Sequence, residues 1–182
     1  MLEKYEKVLK EDLFLKTLKE ENLGSLILTG GAVIDILSGV IPKDYDFVHT
    51  NIIENKIKAN DKFKLLYTSS TAATYEYLGK DIQLLYKNPL DFPYTIEQSK
   101  FNIDTGKLEY FATDSFEQKL LVPNKEVYKS KSIAKNVIRR LLHWQGKGYT
   151  IHPVTFASVL KTAFKKCKCS SHNLDEDEDE ES

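Results

Sequence analysis

The residues of this chain best placed to do chemistry are two aspartates, Asp44 and Asp46, separated by a single tyrosine. On a strand, positions i and i+2 project from the same face, so both carboxylates can share one or two divalent cations. Twelve residues separate them from Leu28-Thr29-Gly30-Gly31. A glycine pair leading from a strand into a helix lets backbone N–H groups come close to a phosphate, with the positive end of the helix dipole behind them. Each feature alone is common: Asp-x-Asp is ordinarily a solvated strand end, and Gly-Gly ordinarily a tight turn. Their combination, flanked by apolar residues with a helix between, describes a site for a metal-bound triphosphate. Arg139 and Arg140, the only arginines, stand on a predicted helix with His143 and Lys147. Arginine grips phosphate in a bidentate way that lysine does not, so these four join Thr29, Gly30 and Gly31 as candidate nucleotide contacts. The competing reading is a basic solvated helix face. Cys167, Cys169 and His172 are weaker zinc candidates, because three crowded ligands lack the paired spacing of a structural site.

The elements around these residues follow from periodicity. Leu2 to Glu20 carries apolar residues at helical spacing and reads as one amphipathic helix, ended by Asn22 and Gly24. Leu26-Ile27-Leu28 is a short buried strand, Ala32 to Leu37 a helix packed on it, and Asp44 to Val48 an alternating strand. A short helix over Ile52 to Ile57 precedes strands at Lys62 to Tyr67, Ala73 to Tyr77 and Ile82 to Tyr86, and a hairpin turns at Asp104-Thr105-Gly106. The remainder is predicted helical: Ser115 to Leu121, Ile133 to Gln145 and Val154 to Lys166. The expected organisation is an N-terminal helix over 1–24, a core over 25–128, a helical segment over 129–169 and a disordered acidic tail over 170–182.

With 182 residues, 41% of them apolar and 29% charged, the composition is that of one globular domain. The net charge of −1 hides an asymmetry: Asp175 to Glu181 is an unbroken run of seven carboxylates, and the rest of the chain stands at a formal +6. A basic body suits a phosphate-bearing or polyanionic partner, and the tail would suit a basic one. No apolar run approaches the ~20 residues of a membrane span, so no membrane partner is expected. The early charged helix and the two close cysteines point to a reducing, cytoplasmic setting.

The stretch Gly30-Gly31-Ala-Val-Ile-Asp-Ile-Leu-Ser-Gly-Val-Ile-Pro-Lys-Asp44-Tyr45-Asp46-Phe resembles the DNA polymerase β-like nucleotidyltransferase superfamily, and particularly the head domain of poly(A) polymerases and CCA-adding enzymes. Ser69 to Tyr75, Ile82 to Leu85, Arg140 to Trp144 and Lys147-Gly148-Tyr149 resemble successive segments of small nucleotidyltransferase-like proteins of phages and large DNA viruses. The resemblance runs from about Leu26 to Ile151. It implies an α+β fold with a small mixed sheet flanked by helices. It also implies Mg²⁺- or Mn²⁺-dependent transfer of a nucleoside monophosphate from an NTP to a hydroxyl of RNA, protein or a small molecule. Asp44 and Asp46 would hold the metals, and Gly30 and Gly31 the phosphates. If the chain is viral, the expected location is the host cytoplasm or the virion.

The superfamily adds a third carboxylate on a later strand. The viral group carries it in a Phe-Asp-Phe segment, where this chain has Phe92-Pro93-Tyr94. Asp91 is the first substitute, since a bulge at Pro93 on an edge strand would bring it toward Asp44 and Asp46. Asp81 and Glu97 follow. Lysine is also usual where His143 stands. The alternatives are a binding module that keeps the fold without turnover, or a structural viral protein working through its acidic tail.

Overall fold

The computed structural model describes residues 2–165. The acidic run, Cys167, Cys169 and His172 lie outside them. The chain opens with α1 (Glu3–Glu11) and α2 (Leu13–Glu20) rather than one helix. Asp12 causes the break: its backbone is extended, and its side chain accepts the Leu15 N–H at 2.9 Å as the N-cap of α2. The buried face is Tyr5, Leu9, Leu15 and Leu18, while Leu13, expected inward, is exposed. Glu6 is buried because it accepts the backbone N–H of Leu108 at 3.0 Å.

Next come β1 (Ile27–Thr29), α3 (Gly31–Leu37), β2 (Asp44–Val48) and α4 (Asn51–Lys58). They are followed by β3 (Lys64–Thr68), β4 (Ala72–Tyr77) and β5 (Lys80–Leu85). Two short 3₁₀ turns, Pro89–Asp91 and Thr95–Gln98, lead to the hairpin β6 (Lys100–Asn102) and β7 (Lys107–Glu109). The bulged strand expected around Pro93 is therefore absent. Asn88 caps the first turn by accepting the Leu90 N–H, and the Glu97 side chain accepts the Tyr94 N–H at 3.2 Å. These local bonds compete with strand pairing.

The last part holds α5 (Thr113–Gln118), β8 (Leu120–Leu121), a 3₁₀ turn at Lys125–Tyr128, α6 (Lys131–Gly146), β9 (Thr150–Ile151) and α7 (Pro153–Ala163). The helix expected to run to Leu121 stops at Gln118, where Lys119 turns left-handed with φ 53°. Leu120 and Leu121 instead pair in parallel with β9. Among the described residues, no helix is long and apolar enough to cross a membrane.

One seven-stranded mixed sheet, in the order β3-β4-β5-β2-β1-β6-β7, organises these elements. β2 runs parallel to β5 and antiparallel to β1, so the Asp-x-Asp strand lies at the middle of the sheet. Register puts Leu28, Phe47, Leu84 and Ala73 side by side across four strands, all fully buried in the core. The next row, on the opposite face, is Thr29, Asp46, Gln83 and Thr74. One face of the sheet thus closes the core under the helices, and the other carries polar residues into a cleft.

Candidate active site

The cleft encloses about 320 Å³ between this polar row, the start of α3 and the C-terminal half of α6. Asp44 and Asp46 come from β2, Gln83 from β5, Gly30, Gly31 and Asp35 from the turn and α3, and Arg140, His143 and Lys147 from α6 and its end. Phe92, Pro93 and Glu97 supply the remaining wall with Leu85.

Gly30 lets the turn and the carboxylate meet. Its φ of +71° is a conformation that L side chains rarely adopt, and a Cβ there would stand 2.9 Å from Asp46 Oδ2. Its N–H donates to the Glu97 carbonyl at 3.2 Å, which takes this amide out of any phosphate cradle. Gly31, at the first position of α3, faces the cleft, where an added Cβ would meet only Lys147 Nζ at 3.7 Å.

Burial, and then the neighbouring charge of Asp44, push the Asp46 carboxyl up to about 7, with Arg140 partly opposing. A carboxylate so perturbed lacks counter-charge, which a divalent cation beside Asp44 and Asp46 would supply. The donor set fits a hard cation: two carboxylates on one strand face, opening on a cleft that admits phosphate. Among the described residues, no group of three or more His, Cys, Asp or Glu gathers in ligating geometry. The protein's share of such a site is then a carboxylate pair, as is usual where Mg²⁺ is held jointly with substrate phosphates.

On the opposite wall, Glu97 is 2% exposed and holds α6 in place. Its Oε1 accepts from Arg140 Nε at 2.6 Å and Trp144 Nε1 at 3.1 Å, while Oε2 accepts the Tyr94 N–H. Both oxygens are therefore engaged, and Glu97 orients Arg140 rather than offering a free ligand. Lys147 Nζ donates to Asp35 Oδ1 at 2.6 Å. Burial, with Lys147 and Arg140 nearby, lowers the His143 pKa, so the imidazole is neutral near pH 7.

Of the residues singled out from sequence, the cleft thus brings together Gly30, Gly31, Asp44, Asp46, Glu97, Arg140, His143 and Lys147. Thr29 is fully buried behind it, donating its hydroxyl to the Ser99 carbonyl at 2.7 Å, and so ties β1 to the chain before β6. Arg139 points to solvent, away from the cleft lining. Asp91 is exposed at the end of its 3₁₀ turn and does not line the cleft, although the next two residues do. Asp81 pairs with Asp44 in register on β5 but is likewise not part of the lining. Sequence reasoning missed Asp35 and the role of Gln83. Asp35 interrupts the apolar run of α3, and Gln83 has the strand parity of a cleft residue; both signals were present.

Neither a protein-family model nor a curated protein matches the chain. Solved structures do. The Thermotoga maritima CCA-adding enzyme complexed with tRNA superposes with a TM-score of 0.67 at 18% identity, over 86% of this chain and 44% of that one. A CCA-adding enzyme with CTP gives 0.65 at 18% identity, over 88% and 44%. The Bacillus stearothermophilus CCA-adding enzyme in complex with CTP gives 0.60 at 15% identity, over 79% and 40%. The fold is the nucleotidyltransferase-like fold of these heads, and this chain spans less than half the length of each neighbour.

Proposed function

We propose that the protein is a nucleotidyltransferase that moves a nucleoside monophosphate from an NTP to a hydroxyl, with release of pyrophosphate. The observation carrying this reading is the opposition, across one cleft, of the Asp44–Asp46 pair and the cationic end of α6. Bound Mg²⁺ or Mn²⁺ would polarise the transferred phosphoryl group and neutralise its charge. Asp44 and Asp46 hold that cation. Arg140, fixed by Glu97, and Lys147, held by Asp35, bind phosphate oxygens, and the neutral His143 donates or accepts a hydrogen bond beside them. Rate then comes mainly from positioning and charge. The neighbours solved with CTP, ATP or tRNA support an NTP donor and favour an RNA 3′ end among the acceptors. A protein or small-molecule hydroxyl are the other candidates.

A second reading, a nucleotide-binding module with little turnover, is favoured by one observation: the extra carboxylates lining the cleft, Glu97 and Asp35, are already paired with Arg140 and Lys147. A general base contributes about 10²–10⁴-fold, so its absence would slow transfer without preventing binding. Incubation with labelled NTPs, Mg²⁺ or Mn²⁺ and RNA or protein acceptors tests the two. Label transfer that disappears in Asp46→Asn supports the enzyme. Metal-dependent NTP binding without transfer to any acceptor supports the module.

A further inference from the structure

From Val127 to Leu174 the chain has ten lysines and arginines and no Asp or Glu, and the seven carboxylates of Asp175 to Glu181 follow at once. Within the described residues, α6 sets part of this charge in order. Its buried face is Ala134, Val137, Leu141 and Trp144, and the opposite face carries Lys131, Lys135, Arg139 and His143, all exposed. Side chains four apart form a ridge inclined gently to a helix axis, and each step along it rises about 6 Å. The ridge is therefore about 18 Å long, and its last member, His143, lines the cleft. Among the described residues, Lys131, Lys135 and Arg139 form no ion pair.

The occupant such a ridge fits is an acidic chain in extended conformation, which presents every second carboxylate to one side at a spacing of about 6.6 Å. In the acidic run these are Asp175, Asp177, Asp179 and Glu181, spanning about 20 Å, so step and length both match the ridge. The starting point matches as well. Lys131 Nζ donates to the backbone oxygen of Lys165, the last described residue, over 3.4 Å, so the chain leaves the described part beside the first step of the ridge. The ten residues from Lys165 to Asp175 reach at most about 35 Å, more than the whole ridge. A nucleic-acid backbone would meet the same cations, but a tethered run competes at an effective concentration on the order of millimolar. We infer that the acidic run Asp175 to Glu181 docks along the α6 ridge over Lys131, Lys135 and Arg139, and thereby excludes other polyanions from this approach to the cleft. Each exposed ion pair is weak, so the docking rests on several acting together and is sensitive to salt.

A nitroxide on the full chain at Ser182→Cys, with Cys167→Ser and Cys169→Ser, reads the docking directly. Amide resonances of α6 from Lys131 to His143 should broaden. The broadening should fall away in Lys131→Gln with Lys135→Gln and Arg139→Gln, and in about 1 M salt, where the screening length shrinks to about 3 Å. Removing the same charge elsewhere, in Lys7→Gln with Lys64→Gln and Lys87→Gln, should leave it unchanged; all three lysines are exposed, on α1, on β3 and after β5. Broadening that survives neutralisation of the ridge, or that the control variant removes equally, overturns the docking. For the exclusion, replacing the seven carboxylates of the full chain by their amides should tighten binding of a labelled oligouridylate at least about threefold. That gain should vanish when the ridge is neutralised as well, as for coupled groups. An equal gain with and without the ridge would mean that the run repels polyanions through net charge alone, and that result, or no gain at all, overturns the exclusion. Neither measurement uses metal or nucleotidyl transfer, so the docking stands or falls separately from the proposed reaction.

Discussion

Two adjacent rows of the same sheet, one residue apart along each strand, have opposite fates. Leu28, Phe47, Leu84 and Ala73 are all fully buried beneath helices, whereas Thr29, Asp46, Gln83 and Thr74 form the polar row, two of them opening into the cleft. Strand alternation lets one backbone serve both, so stability and chemistry are written into alternate positions of the same segments. The two rows should fail in different ways. Phe47→Ala should cost about 3–5 kcal/mol through lost burial and the cavity left behind. Urea denaturation would show this as a lower midpoint with nucleotide affinity falling only as the folded fraction falls.

Asp46→Asn should do the reverse. Loss of one anionic ligand is expected to weaken Mg²⁺–NTP binding by at least about tenfold, with no loss of stability in metal-free buffer. Calorimetry and thermal melting on the same samples check both halves, and parallel losses would erase the distinction between the rows. Gly30→Ala sits where the rows meet the turn. Its backbone conformation and the 2.9 Å approach to Asp46 Oδ2 make even a methyl group costly, at about 1–3 kcal/mol. It should also displace the Asp46 carboxylate, so both melting temperature and metal affinity fall together.

A smaller effect belongs to the covered side of the sheet. Glu21 accepts hydrogen bonds from Lys62, Tyr77 and Asn60, which hold its carboxyl down at about 2. A group with a lowered folded-state pKa contributes stability above its unfolded value, and that contribution is lost as pH falls through the folded value. Stability should therefore decline between the ordinary 4.5 of a glutamate and about 2. Glu21→Gln should flatten that part of a urea-midpoint profile against pH.

What was legible from sequence follows the same division. Gly30-Gly31 and Asp44-Tyr45-Asp46 could be found because local geometry fixes their role: a glycine at positive φ, and carboxylates of equal strand parity. The strands carrying Phe47, Tyr75 and Leu84 could be found from alternation. The pairing of Glu97 with Arg140 and Trp144 was not legible, because it joins residues more than forty apart through a 3₁₀ turn that has no hydrophobic period. The break at Asp12 was written in the sequence as a helix cap but masked by apolar spacing that continues across it. The position of β6 beside β1 depends on a crossover, which no local pattern encodes.

The smallest effect sharpens the comparison most finely, because Asp91 belongs to neither row. Strand pairing would have placed its carboxylate by parity, but the chain after β5 folds into 3₁₀ turns that leave Asp91 exposed while Phe92 and Pro93 line the cleft. An exposed carboxylate without a buried partner contributes within about ±0.5 kcal/mol, so Asp91→Ala should barely move the melting temperature. Single-turnover transfer and NTP affinity should both stay within about twofold of wild type, since Asp91 lies outside the cleft lining; a group acting only in the transition state would instead lower the rate without changing ground-state binding. A tenfold loss of transfer at unchanged affinity would mean that the turn rearranges when substrate binds and carries Asp91 toward the reacting hydroxyl. The third carboxylate would then come from a mobile loop, and only the Asp44–Asp46 pair would owe its place to the sheet.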